Sequence, residues 1–339
     1  MQSADRYLIV GPSWIGDMVM AQSLFMALKN QKPDCTIDVL APEWSLPILN
    51  RMDQVNETIP LPVAHGEFAF GLRRQIGKAL RKNGYDHAIV IPRSLKAALV
   101  PWFAKARMRT GYRGEMRFGL LNDIRRLDKK VLTQTVQRYV ALGLERNRHL
   151  PPETPYPKLR VDAENQQRVL QRLSLNLDKP VIGFMPGAEY GPAKQWPTSY
   201  YGKLAQQLSA VGYQIWIFGS KKDQEVTDKI KNIGGAAVTN LAGRTELVDV
   251  VDLLALCKLT VCNDSGLMHV AAAVDRPLVA IYGSSTPDYT PPLTDRAEVC
   301  YLNLECSPCF KRNCPLGHLN CLKDISVENV FEAINRIEN

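Results

Sequence analysis

Twice along the chain, a short uninterrupted apolar run ends on a glycine- or proline-rich loop, and helical spacing follows. Tyr7–Val10 stops at Gly11, after which Ile15–Leu28 repeats apolar side chains every three to four residues. Val181–Met185 stops at Pro186-Gly187, and a helix is expected near Ser199–Val211. A strand without polar alternation is buried on both faces, and a helix directly behind it returns the chain for a parallel neighbour. The pattern restricts the fold to α/β units with mostly parallel sheets. Thr36–Ala41, closed by Pro42, and His87–Pro92, with its core Ala88–Ile91, extend the first series. Gln214–Phe218, Val238–Leu241, Leu259–Cys262 and Leu278–Ile281 extend the second, with a helix near Leu247–Leu256. The Pro- and charge-rich stretch from Arg146 to Arg160 reads as a linker. The 339 residues therefore divide into domains 1–155 and 156–325. A C-terminal helix, 326–339, is available to pack back on the first. No internal repeat or low-complexity segment is present.

Hydrophobic residues at 45% and charged residues at 22% exclude a disordered chain. No apolar stretch approaches the roughly 18 residues of a membrane span. Met1–Arg6 lacks the pattern of a secretory leader, so a cytoplasmic protein is expected. Eight cysteines over this length do not make a disulfide scaffold. The formal net charge is +8, but residues 1–150 alone carry +10 and the remainder −2. Between Arg73 and Arg117 there are 12 basic residues against 2 acidic ones. Such a one-sided field draws a polyanion to the first half. A solvated basic surface is the plain alternative. Nucleic acid is disfavoured, because no zinc-finger, RNP or helix-turn-helix pattern occurs.

Four constellations could carry chemistry. Gly11-Pro12-Ser13-Trp14-Ile15-Gly16-Asp17 is neither a dinucleotide fingerprint nor a P-loop. It does place Asp17 at a strand-to-helix junction, where the carboxylate either meets a ligand or merely charges the first helical turn. Met185 to Pro197 is a Gly/Pro-rich loop with one lysine, Lys194, suited to a phosphate point charge or simply solvated. Trp196-Pro197 reads as a packing anchor. Asn263 to Ala273 joins a strand to a helix of small residues, whose first amides suit a diphosphate. Asp264 could be an N-cap, and His269 a packed core histidine. Cys306-x2-Cys309-x4-Cys314-x6-Cys321, with His318 inside, has knuckle-like spacing for structural zinc or iron–sulfur. It reads as lying away from the three strand-end motifs. There is no G-x-S-x-G elbow, H-E-x-x-H or D-x-D pair. What remains fits group transfer from a nucleotide-linked donor to an anionic acceptor.

Together with Tyr282-Gly283-Ser284-Ser285-Thr286-Pro287-Asp288-Tyr289-Thr290-Pro291-Pro292, the first three motifs resemble those of the ADP-heptose:lipopolysaccharide heptosyltransferases over nearly the whole chain. The resemblance implies a GT-B fold, two Rossmann-like domains facing a cleft. It implies inverting transfer of L-glycero-D-manno-heptose from ADP-heptose to the first heptose of Kdo-lipid A, with no cofactor or metal required. Carried over residue by residue, Asp17 is the expected general base and Lys194 the expected neutraliser of the leaving diphosphate. Gly187, Asp264, Ser265, Gly266, Leu267 and His269 shape the donor site. Asp223 is aligned with a ribose contact, and Leu241, Ala242 and Gly243 with adenine. Arg73, Arg74, Arg93, Lys96, Arg113 and Arg117 are the candidates for the anionic heptosyl-Kdo-lipid A acceptor. The implied location is peripheral, at the cytoplasmic face of the inner membrane. Alternatives are family branches with a different acceptor (types I and III), a nucleotide-sugar epimerase, and a non-enzymatic lipid-surface adaptor with a vestigial nucleotide site. The cysteine segment takes no role from the resemblance; structural zinc there rests on spacing alone.

Overall fold

In each half the chain builds a six-stranded, all-parallel sheet. The computed structural model describes residues 4–64, 66–146 and 148–338. One compact unit ends at Pro157 and the other starts at Lys158, inside the stretch read as a linker. The first sheet holds β1 (Arg6–Val10), β2 (Thr36–Ala41), β3 (Glu57–Pro60), β4 (His87–Val90), β5 (Met108–Tyr112) and β6 (Asp123–Arg125). Its order is β3-β2-β1-β4-β5-β6. The second holds β7 (Val181–Met185), β8 (Gln214–Ile217), β9 (Val238–Asn240), β10 (Leu259–Asn263), β11 (Leu278–Ile281) and β12 (Ala297–Cys300). Its order, β12-β11-β10-β7-β8-β9, is the same path repeated. In each sheet the winding reverses beside the first strand, between β1 and β4 and between β7 and β10. Crossovers leave such a point in opposite directions and open a crevice at the carboxyl ends.

Helices cover both sheets at close range. The helix Ile15–Gln31 is buried around most of its circumference. It meets the helix Thr135–Gly143 where Gly143 admits Leu24; a Cβ there would lie 2.5 Å from Leu24 Cδ1. The second core gathers Ile182, Phe184, Trp196, Tyr201 and Ile281, and Val327, Val330, Ala333 and Ile334 of the helix Val327–Glu338 join it. This corrects the expected return of the C-terminal helix to the first domain. Its apolar face is committed to β11, β12 and the helix Thr198–Ala210 of its own unit.

Gly77 sets the approach of the helix Phe70–Ala79 to the helix Leu99–Phe103. A Cβ at Gly77 would stand 2.4 Å from Phe103 Cβ and 2.8 Å from the Val100 carbonyl oxygen. Gly→Ala in a helix normally stabilises by about 1 kcal/mol. Here overpacking against backbone reverses the sign. Gly77→Ala should destabilise the first unit by about 1–3 kcal/mol, read from its urea-unfolding midpoint.

Candidate active site

In the second unit the winding reversal brings two of the motifs into contact. Lys194 closes a short 3-10 turn, Pro192–Lys194, in the loop after β7. Asp264 follows β10. The Lys194 Nζ donates to Asp264 Oδ2 at 2.5 Å. Ser285 Oγ donates to the same oxygen at 2.5 Å, and Thr290 Oγ1 reaches Oδ1 at 3.4 Å. Both come from the segment after β11. Asp264 is therefore no mere N-cap: its carboxylate joins the loops that follow β7 and β11. Its neighbour Asn263 performs the matching neutral task. Asn263 Oδ1 accepts from the Trp196 amide (3.1 Å) and the Tyr201 hydroxyl (3.2 Å), and Nδ2 donates to the Pro186 carbonyl (2.6 Å). Trp196 is buried, with its indole N–H on the Ile325 carbonyl, as a packing anchor requires.

Ser265 caps the helix Gly266–Ala273 from extended backbone, without a side-chain cap bond. The first amides of a helix have no intrahelical partner, so Ser265, Gly266 and Leu267 present donors beside the lysine. His269 sits one turn deeper and is buried. Burial pushes its pKa down to about 4; Asp264 opposes that shift and Lys194 adds to it. Its Nδ1 is enclosed without a hydrogen-bond partner. His269 is thus a neutral wall of the site near neutral pH.

The remaining donor-side residues are placed more plainly. Asp223 caps a turn: its Oδ2 accepts from the Ser220 amide and hydroxyl, both at 2.7 Å. A Cβ on Gly187 would meet Asp223 Oδ1 at 2.8 Å, so glycine is what lets these loops approach. The amides of Leu241, Ala242 and Gly243 donate to the Ile217 carbonyl, Asn240 Oδ1 and the Gly219 carbonyl.

In the first unit Asp17 occupies the first turn of the helix Ile15–Gln31. The Tyr139 hydroxyl donates to its Oδ1 at 2.9 Å. Sequence reasoning did not single out Tyr139, which lies 122 residues away on a short helix with no motif of its own. Of the six candidate acceptor cations, two are corrected by the structure. Arg117 is buried, with Nη1 on the Pro92 carbonyl and Nη2 on the Tyr112 carbonyl, both at 2.6 Å. Arg73 is buried, with Nε on the Phe68 carbonyl at 2.8 Å. Desolvation lowers the pKa of both guanidinium groups. Their charges hold loops. Arg74, Arg93 and Arg113 are exposed and Lys96 is half-buried.

The cysteine loop differs from expectation in where it lies. It is not remote from the strand-end motifs. The Ala193 amide donates to the Arg312 carbonyl (3.0 Å), the Tyr190 hydroxyl to the Phe310 carbonyl (2.7 Å), and the Phe310 amide to the Ser284 carbonyl (2.7 Å). Gly191, at φ +149°, lets Arg312 pass; a Cβ would lie 2.7 Å from the Arg312 carbonyl oxygen. The loop thus buttresses the turn that carries Lys194. None of the four thiols is in a disulfide. Burial, followed by the proximity of Cys306, Cys314 and Cys309, pushes the Cys321 thiol up to about 11. Backbone amides, that of Leu319 foremost, pull the Cys314 thiol down. Cys321 belongs to the second core, with Leu322 and Ile325.

The profile of glycosyltransferase family 9 (heptosyltransferase) matches residues 73–320. The chain belongs to that family. Within it, the chain is 46% identical over 341 residues to lipopolysaccharide heptosyltransferase 2 of Escherichia coli (strain K12), covering 98% of each. It is 45% identical over 344 residues to lipooligosaccharide heptosyltransferase 2 of Haemophilus influenzae, covering 97% of this chain and 98% of that one. The solved structure of E. coli ADP-heptose lps heptosyltransferase II matches with a TM-score of 0.87 at 45% identity, over 98% of both chains. The α/β GT-B class expected from the motifs is borne out.

The buried neutral histidine has a consequence for stability. Its folded pKa, about 4, lies below the ordinary 6.5, so the unfolded chain binds the extra proton first as pH falls. The contribution is fully present above about pH 6.5 and lost progressively toward pH 4. Wild type should lose about 3 kcal/mol from this source between pH 7 and pH 4. His269→Gln should flatten that part of the slope, checked by urea unfolding of the second unit at each pH.

Proposed function

We infer that this chain transfers L-glycero-D-manno-heptose from ADP-heptose to the first heptose of the lipopolysaccharide inner core. The observation that carries the reading is the Lys194–Asp264 pair beside the helix Gly266–Ala273 at the β7/β10 reversal. It lies in a chain 46% identical throughout to a heptosyltransferase 2. A lysine and unpaired helix amides form a cationic and dipolar cradle of the kind a nucleoside diphosphate leaving group needs. In the reaction an acceptor hydroxyl oxygen bonds to the anomeric carbon, the bond from that carbon to the phosphate oxygen breaks, and ADP departs. The hydroxyl proton passes to a base, for which Asp17 is our assignment, held by Tyr139. An ionised carboxylate can serve without a raised pKa, because the alcohol becomes acidic only as the new bond forms. As the ADP–sugar bond breaks, Lys194 and the amides of Ser265, Gly266 and Leu267 meet the growing phosphate charge. Ser285 and Thr290 keep Asp264 in place as the lysine engages. The acceptor is read as a lipid-anchored polyanion at the cytoplasmic face of the inner membrane, met by Arg74, Arg93, Lys96 and Arg113.

Incubation with ADP-heptose and monoheptosylated Kdo-lipid A should yield a product heavier by one heptose in mass spectrometry. No mass change with fresh substrates would overturn the reading. Asp17→Asn should lower kcat about 10²-fold or more while leaving ADP binding by calorimetry intact. Turnover within about threefold of wild type would reduce Asp17 to a helix-capping charge. Lys194→Ala should raise the ADP-heptose KM and lower kcat with little change in acceptor KM, measured by steady-state kinetics at saturating co-substrate.

A further inference from the structure

Beside β6, the edge strand of the first sheet, the chain encloses a cavity of about 210 Å³. That is below the roughly 300–1,000 Å³ of sites for drug-sized ligands and suits one small molecule. Tyr112, Leu132 and Ala141 line it and are buried, so its floor is largely apolar. The basic residues of its lining are all arginines: Arg125, Arg126, Arg146 and Arg148. Lys129 and Lys130 follow in the same stretch of chain and are not among its walls.

Two of these arginines are aimed by Asp123, which is buried. Its Oδ2 accepts from Thr110 Oγ1 (2.9 Å) and Arg125 Nη2 (3.0 Å), and its Oδ1 from Arg146 Nε (2.7 Å). Burial works against ionisation of Asp123, but Arg146 and Arg125 hold its pKa below the ordinary value. Arg125 Nη1 also donates to the Ala141 carbonyl at 2.7 Å, which pins that guanidinium to the helix Thr135–Gly143. Arg126, Arg146 and Arg148 are exposed at the rim. Within this group four arginines stand against two carboxylates, Asp123 and the lining residue Glu145, which leaves a charge of +2.

We propose that this cavity binds a small phosphomonoester, its phosphate among the arginines and an apolar ester body on the floor. A phosphomonoester carries about −1.5 to −2 near neutral pH, which matches the charge of the walls. A planar guanidinium pairs two N–H groups with two phosphate oxygens, as a lysine cannot, and a basic set made only of arginine suits that geometry. A merely solvated basic surface needs neither a buried carboxylate to aim its guanidinium groups nor an apolar recess beside them. The site is distinct from the Lys194 cradle, which belongs to the other unit. It lies behind the helix of Tyr139, the residue that donates to Asp17. The Tyr112 hydroxyl holds the Arg138 carbonyl of that helix at 2.9 Å, and Arg125 holds the Ala141 carbonyl. An occupant therefore shares Arg125 with the helix that carries the partner of Asp17.

Calorimetry in phosphate-free buffer tests it, with phenyl phosphate, inorganic phosphate and phenol as probes. Phenyl phosphate should bind wild type, and Lys194→Ala, which strips the cation from the cradle of the other unit, should keep a site of the same affinity. Inorganic phosphate should bind about tenfold or more weakly, having no body to lay on the floor. Phenol, without the phosphate, should give no signal. Combining Arg126→Gln with Arg148→Gln should weaken phenyl phosphate binding about tenfold or more, because charge-assisted hydrogen bonds are lost. Both side chains are exposed, so the urea-unfolding midpoint of the first unit should stay at the wild-type value. Failure of wild type to bind phenyl phosphate overturns the proposal. So does undiminished binding by the double variant, loss of the site in Lys194→Ala, or equal affinity for inorganic phosphate. None of these readouts uses heptose transfer, so the proposal and the transferase reading fail separately.

Discussion

A carboxylate sealed away from water needs donors around it, and Asp264 has gathered three from two different loops. Much of the second unit follows from that requirement. The loop after β7 must turn so that Lys194 arrives. The segment after β11 must bring Ser285 and Thr290. The cysteine loop must brace the Lys194 turn from outside through Arg312 and Phe310. Asn263, one residue earlier, secures Pro186, Trp196 and Tyr201 with neutral hydrogen bonds. A charged and a neutral hub, side by side at the end of one strand, fix the site before any ligand enters.

Preorganisation of this kind is what a group-transfer site requires, because donors already aimed need not reorganise as charge develops. The lysine is held by a carboxylate rather than by solvent, so the cation is in position at the outset. His269 behind it is kept neutral by burial and contributes shape rather than charge. The first unit is organised on the opposite principle. Its buried arginines, Arg73 and Arg117, are tied to carbonyl groups and stiffen the loops from which exposed cations project. One half therefore concentrates its electrostatics at a point, and the other spreads them over a surface.

The elements legible in the sequence were those whose pattern came from burial on both faces. β1, β7, β10 and β11 are uninterrupted apolar runs, and the structure buries them almost completely. β3, β5, β6 and β12 were not read. β3, β6 and β12 are three or four residues long and lie at sheet edges, while the interior strand β5 opens on exposed Met108 and half-buried Arg109. Edge strands are half-solvated, so Glu57, Arg125 and Glu298 can sit in them and erase the apolar signal. The donor-side motifs were visible for a related reason. Backbone that must approach closely needs glycine, and Gly187 and Gly191 mark where it does.

By itself the sequence determined the class of fold, the family, and the candidate residues for a diphosphate and an acceptor hydroxyl. These are local properties: strand burial, glycine at tight approaches, a lysine and an aspartate each near a strand end. It could not decide which charges were available. Arg73 and Arg117 look like Arg74 and Arg113 in a basic run, and only the packed loops separate structural cations from exposed ones. Nor could it pair Tyr139 with Asp17, join Asp264 to Lys194, Ser285 and Thr290, or bring the cysteine loop against the Lys194 turn. Those contacts span sequence separations that only the winding of parallel strands closes, because β10 lies beside β7 and β11 in space and far from β7 along the chain.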